Sequence, residues 1–338
     1  MRRTGTLLLA VAITAVCLWY LLTPPVLQAL GRLREAKGAP LLAAFALSAL
    51  VQWLRAWRFA ALTTGGSRLP DAPMLAIALK LNFLNFVLPF RLGELGYPAL
   101  MRQQYGHSLL RSAGVLLVAR LFDLTTVVAI LLGCAALLMA TPAGQVAFAA
   151  GALFFGLAPF ALAAVGRTLL IRLGPRLTRR PQALPPMDAE GPAERGPAGG
   201  LWRLAPTVDQ VARLAVRGPR HFSLVVLLGF AIWLAFGLAA VLVASAVVDT
   251  VVPSAALLGA AAGNLAFALP VNGIAGLGPA QAAWVWATTW AGVPQPDAVL
   301  SALALHAVAL SNALLLGGLA FIGGYARRPA LSARRPSP

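Results

Sequence analysis

Six stretches of this chain, near residues 6–22, 41–62, 112–139, 145–166, 222–248 and 297–323, are apolar and almost free of charge. Each approaches or exceeds the roughly 20 residues that a helix needs to cross about 30 Å of hydrocarbon. A bilayer offers no water to backbone N–H and C=O groups, so such a segment must satisfy them internally, as a helix does. Composition agrees, since 59% of the 338 residues are apolar and only 11% are charged. That is more apolar surface than a soluble domain of this length hides. The expected fold is an all-α integral membrane protein, a polytopic helix bundle.

Two further apolar regions, 72–108 and 253–291, are broken in the same way. Asn82 to Glu94 reads NFLNFVLPFRLGE, and Asn264 to Gln281 reads NLAFALPVNGIAGLGPAQ. Downstream, Gly106 is followed fourteen residues later by Arg120, and Gly292 fourteen residues later by His306. The chain therefore reads as internally repeated. Asp71 is a suitable N-cap with Pro73 just inside, so a helix should begin there and end where Pro89 removes a backbone donor. Irregular backbone persists at membrane depth only where it lines a wet cavity or is buried by protein. Paired broken helices in corresponding halves are the sequence sign of a transporter's binding site.

Charge sets an expected orientation. The net charge is +17, from twenty-five arginines and two lysines against ten acids. These cations lie in loops and tails between apolar runs rather than on a basic face with interleaved aromatics, which argues against a nucleic-acid partner. The segment 167–221 carries ten arginines against four acids, is rich in Pro and Gly, and reads as a basic cytoplasmic linker between a first membrane half, 1–166, and a second, 222–323. The tail, 324–338, adds Arg327, Arg328, Arg334 and Arg335, and the N-terminus adds Arg2 and Arg3. With all three cytoplasmic, the helix count closes only if both broken regions are re-entrant hairpins. The first would enter from the cytoplasm and the second from outside, which makes an inverted-topology repeat. Arg55 and Arg58, beside Trp53 and Trp57, are placed at the cytoplasmic end of helix 41–62. Arg32, Arg34 and Lys37, in a segment placed outside, run against the pattern. The first apolar run imitates a signal peptide and is read as an uncleaved helix.

Several residues are candidates for a site. Arg91 and Glu94 sit at the first break, where an arginine fork suits phosphate and a carboxylate can hold the empty arginine. Arg120 and Asp123 share a helix face inside an apolar run, and charges at that depth tend to be functional. Asn85, Asn264, Asn272 and Gln281 supply amides. The turn containing Gly276 and Gly278 offers backbone N–H groups and a helix N-terminus to an anion. His306 is a candidate proton relay. Trp233, Trp284, Trp286 and Trp290 read as interfacial belts. Cys17 and Cys134 read as small hydrophobes. Metal-ligand clusters, phosphate-cradling loops and nucleophile elbows are missing from the sequence, so neither a metal, a cofactor nor enzymatic chemistry is expected.

At the two breaks the sequence resembles the membrane-embedded flippase domain of bacterial lysylphosphatidylglycerol synthases and its stand-alone, flippase-like relatives. Leu88, Pro89, Arg91, Gly93, Glu94, Gly106, Arg120 and Asp123 match the first-half pattern. Leu269, Pro270, Gly276, Gly278, Ala282, Gly292 and Val293 match the second. The chain departs from it at Phe90, Ala119, Gln281 and His306, and the glutamates lost at Ala119 and Gln281 remove carboxylates the family uses. The resemblance implies a flippase that moves an anionic phospholipid, or a polyprenyl-phosphate-linked headgroup, between leaflets. The alternative is a non-transporting scaffold or lipid-binding partner of an envelope-lipid enzyme. An integral membrane transferase would need a hydrophilic acidic dyad, and none is visible.

Overall fold

The computed structural model of the chain describes residues 31–64, 69–177, 219–249, 251–269 and 273–326. The expected helix near 6–22, Asn272, the tail beyond 326 and most of the expected linker lie outside these residues. Among the described residues every regular element is helical and none is a strand. The helices are α1 (Gly38–Thr64), α2 (Ala72–Val87), α3 (Gly96–Tyr105), α4 (Leu109–Leu138) and α5 (Pro142–Leu177). They continue with α6 (Pro219–Val247), α7 (Pro253–Ala268), α8 (Pro279–Trp290) and α9 (Gln295–Ala326). α5 runs eleven residues past the expected boundary at 166, and α6 starts three residues before 222.

Five segments, within α1, α4, α5, α6 and α9, are long and apolar enough to cross a membrane. α2 and α7 have 16 residues each. At 1.5 Å per residue each reaches about 24 Å, too short to span. Both end where the sequence predicts. Asp71 caps α2 by accepting from the Met74 amide, and Leu88 turns extended ahead of Pro89. A 3-10 helix, Pro89–Leu95, then leads into α3. In the second half Leu269 turns extended before Pro270, and a short 3-10 turn, Ile274–Gly276, precedes α8. The two non-glycine residues with positive φ among those described are Arg91 (φ 54°) and Ala275 (φ 58°), one at each break. Backbone strain of this kind concentrates where function uses it.

The packing is crosswise. α1 and α6, which open the two halves, pack along one another, while α2 lies on α9 and α7 lies on α4. α3 packs on α4, α8 on α7 and α9, and α5 mainly on α4. One core cluster gathers Leu62, Met74, Tyr97, Met101, Val115 and Val225. Another is dominated by small residues of α6, α7 and α9, such as Ala240, Ala244, Ala256 and Ala298, which let helix backbones approach closely. Gly259 is one such approach, because a Cβ there would meet Thr288 and Trp284 of α8.

The two ends of the bundle are tied separately. At one end Lys37 pairs with Asp249 at 2.8 Å, its amide donates to the Ala246 carbonyl, and Arg32 pairs with Asp297 at 2.6 Å. Two of the three cations that ran against the charge pattern thus have acidic partners in the second half. At the other end Arg111 donates to the Thr63 carbonyl, and the Tyr105 hydroxyl donates to Asp71. The last bond joins the start of α2 to the end of α3. The breaks themselves meet inside the bundle, with the Phe86 and Phe267 rings 5.8 Å apart.

Gly93 makes the first break possible. A Cβ on it would lie 2.5 Å from the Asn85 amide nitrogen and 2.6 Å from Asn85 Oδ1. Gly93→Ala is therefore expected to cost about 1–3 kcal/mol by overpacking, read as a lower unfolding temperature of the detergent-purified protein.

Candidate functional site

A cavity of about 660 Å³ opens where the breaks meet, walled by α1, α2, the 89–95 turn and α4 from one half and by α6 to α9 from the other. Its charged groups form one connected network. In a 3-10 helix residues i and i+3 eclipse, which stacks Arg91 on Glu94; their charged atoms are 2.5 Å apart. Arg120 of α4 reaches the same Glu94 oxygen at 2.8 Å and, one turn along its own helix, Asp123 at 3.0 Å. Asp123 is buried and takes a two-pronged contact from Arg58 of α1, at 2.6 and 3.0 Å. The Trp233 indole of α6 donates to it at 2.7 Å. Arg91 also donates to the Phe267 carbonyl at 3.3 Å, near the end of α7, where a helix leaves carbonyls without partners.

The network is unbalanced. Arg55 lines the cavity with its guanidinium 5.8 Å from the Trp233 ring centre and has no carboxylate partner among the described residues. Arg55, Arg58, Arg91 and Arg120 face two carboxylates, which leaves a net charge of +2. The Nε atoms of Arg91 and Arg120 are buried without acceptors. The site is thus short of negative charge, and these two guanidinium N–H groups await acceptors.

Of the residues singled out from sequence, Arg91, Glu94, Arg120, Asp123, Asn85, Asn264, Gly276, Gln281 and His306 all line this cavity, while Asn272 is not described. Gly278 does not line it, and its N–H donates to Gln281 Oε1 at 2.8 Å. The Gly276 amide donates to the Gly273 carbonyl and the Gly273 amide to the Leu277 carbonyl. The expectation that this turn offers its amides to an anion is therefore corrected for these three, because the turn consumes them. Gln281 in turn donates to His306 Nδ1 at 2.8 Å, and Asn264 donates to the Ala260 carbonyl of its own helix.

Sequence reasoning misplaced four residues of the cavity and its network. Arg55 and Arg58 are not at an interface. α1 continues to Thr64, so Arg58 lies nearly two turns inside and is 2% exposed. The available signal was the stripe Ser48, Gln52, Arg55 and Arg58, spaced to share one face of an apolar helix. Trp233 and Trp284 are likewise buried rather than belt residues, and the Trp284 indole donates to Ser301. Trp286 and Trp290 are exposed.

Residues 7–317 match the family model described as the lysylphosphatidylglycerol synthase TM region. No curated protein and no solved structure matches the chain.

Asp123→Asn removes the counter-charge of buried Arg58 and is expected to destabilise the protein by about 3–5 kcal/mol. The double replacement Arg58→Met with Asp123→Leu leaves no orphaned charge, so its loss should be smaller than the sum of the single losses. Thermal unfolding in detergent measures both.

Proposed function

This chain belongs to the lysylphosphatidylglycerol synthase TM-region family, as its residues at the breaks suggested, and we propose that it is a bacterial inner-membrane flippase. It is a multi-pass membrane protein of a family related to lipid biosynthesis or transport. The reading is that it moves an anionic phospholipid, or a polyprenyl-phosphate-linked headgroup, between leaflets. The observation that carries it is the net positive, donor-rich cavity at the meeting point of two broken helices.

In this reading the headgroup phosphate enters between Arg91 and Arg120. Its oxygens take over the guanidinium donors that Glu94 occupies in the empty site, as charge-assisted hydrogen bonds. Glu94 is then a resident counter-ion that keeps the arginines paired between cargoes. Arg55 meets the second charge or the displaced carboxylate. Asp123 holds Arg58 and Arg120 in place rather than touching cargo. Both carboxylates of the network are committed to arginines, which supports transport over catalysis, because neither is free to act as a general base.

The two halves are proposed to be inverted repeats. Exchange of α1 with α6, α2 with α7, α3 with α8 and α4 with α9 leaves the pattern of neighbours nearly unchanged, which supports this reading. Each break then acts as a re-entrant hairpin, the first from the cytoplasm and the second from outside. Alternating access would come from rocking one half against the other around the shared site.

Arg91→Ala and Arg120→Ala, shown to be folded, should each slow transfer of an anionic fluorescent lipid in reconstituted vesicles by at least about tenfold. Unchanged transfer sinks the proposal. A stable complex with an envelope-lipid enzyme, without translocation by the purified protein, would favour the scaffold reading instead. For topology, cysteines placed at Gln103 and at Pro296, in a chain with Cys17 and Cys134 replaced, should label from opposite membrane faces. Labelling from one face would refute the inverted arrangement.

A further inference from the structure

The cavity is chemically two-ended. All the charged groups just described cluster at the end made by Arg55, Arg91 and Arg120. Along α1 away from Arg55, its wall continues through Gln52 to Ser48, one turn apart at each step. Asn312 of α9 joins them, pinned to α1 by donation from its Nδ2 to the Phe45 carbonyl. That bond fixes its Oδ1 as the remaining acceptor. This second end contains no charged side chain.

Two of its acceptors have no partner. Gln52 is 5% exposed and Asn312 is 2% exposed, and Gln52 Oε1 and Asn312 Oδ1 are both buried without a hydrogen-bond donor. Buried amide oxygens left unsatisfied are costly and rare. What they lack is a donor, as Asn85 Oδ1 also does beside the 89–95 turn, whereas the buried Nε atoms of Arg91 and Arg120 at the arginine end lack acceptors. From this opposition we infer that the cargo headgroup is a phosphate ester of an uncharged polyol, a glycerol or a sugar, whose hydroxyls bond to Gln52 and Asn312 while its phosphate sits among the arginines. The inference rests on the transport reading for its lipid source, and it goes further by naming the headgroup chemistry.

An ammonium-bearing headgroup fits poorly. It would bring positive charge into a site that already holds a net +2, where Asp123 stays with Arg58 and Arg120, and Glu94, once a phosphate displaces it, has Arg55 of the same cavity to pair with. The chemistry requires a donor that carries no charge, and a hydroxyl is one.

Three short-chain lipids isolate the terms: phosphatidylglycerol, phosphatidylpropanol with the same charge and no hydroxyl, and phosphatidylethanolamine with an ammonium. Binding to the detergent-purified chain is measured by titration. Phosphatidylglycerol should bind about tenfold more tightly than phosphatidylpropanol, as two satisfied buried acceptors imply, and phosphatidylethanolamine should bind least. The Gln52→Leu and Asn312→Leu double variant, shown to be folded by its circular dichroism and thermal unfolding, should bring phosphatidylglycerol down to the level of phosphatidylpropanol. Equal binding of the glycerol and propanol lipids, or a preference that survives the double variant, overturns the inference. So does phosphatidylethanolamine binding as tightly as phosphatidylglycerol.

Two further arms separate this inference from the transport reading. If the hydroxyl preference holds but no lipid crosses reconstituted vesicles, transport fails and the headgroup assignment stands. If lipids cross without preference, the reverse is true. Free glycerol phosphate that competes as well as the short-chain lipid would make the soluble ester the ligand, preserving the polyol phosphate chemistry and removing the lipid.

Discussion

The structure depends on one buried carboxylate. Asp123 of α4 accepts from Arg58 of α1, Arg120 of its own helix and the Trp233 indole of α6, so a single side chain sets the register of three helices. From Asp123 the contacts pass through Arg120 and Glu94 to Arg91, and from Arg91 to the Phe267 carbonyl of α7. The network therefore runs from the α1 and α6 pair to both broken helices. Burying such charges costs several kcal/mol each, and apolar side chains would hold helices together at least as well. Charge retained at this depth is better explained by a ligand than by stability.

The two breaks are built alike but equipped differently. The first places Arg91 and Glu94 at the cavity and is compact because Gly93 lies against the backbone of α2. The second contributes no charge. It offers the Phe267 carbonyl, an aromatic face beneath Arg91, and Gln281 bridging the glycine turn to His306. A division into charge from one half and turn amides from the other is thus revised. The second break contributes an acceptor and apolar surface, because its glycine turn uses the amides of Gly273, Gly276 and Gly278 to close upon itself.

Much of the site could be read from the sequence because membrane depth makes polar residues conspicuous. Arg91, Glu94, Arg120 and Asp123 stood out against apolar surroundings, and the Leu-Pro pairs marked where α2 and α7 stop. Arg55, Arg58 and Trp233 were misplaced for a related reason. An arginine or tryptophan near the end of an apolar run has the same appearance whether it anchors at an interface or points inward. Only the length of α1 and the position of Asp123 decide between these.

By itself the sequence determined that the chain is a helical membrane protein, that two of its helices break, and which residues at the first break carry charge. These follow from run length, proline chemistry and the cost of charge in hydrocarbon, all of which act locally. Tertiary structure alone decided that the breaks share one cavity, that Asp123 answers to Arg58 as well as Arg120, and that Gln52 and Asn312 face it with acceptors unmet. Each depends on which helix lies opposite which. That is set by the crosswise packing of α2 on α9 and α7 on α4, between residues far apart in the chain.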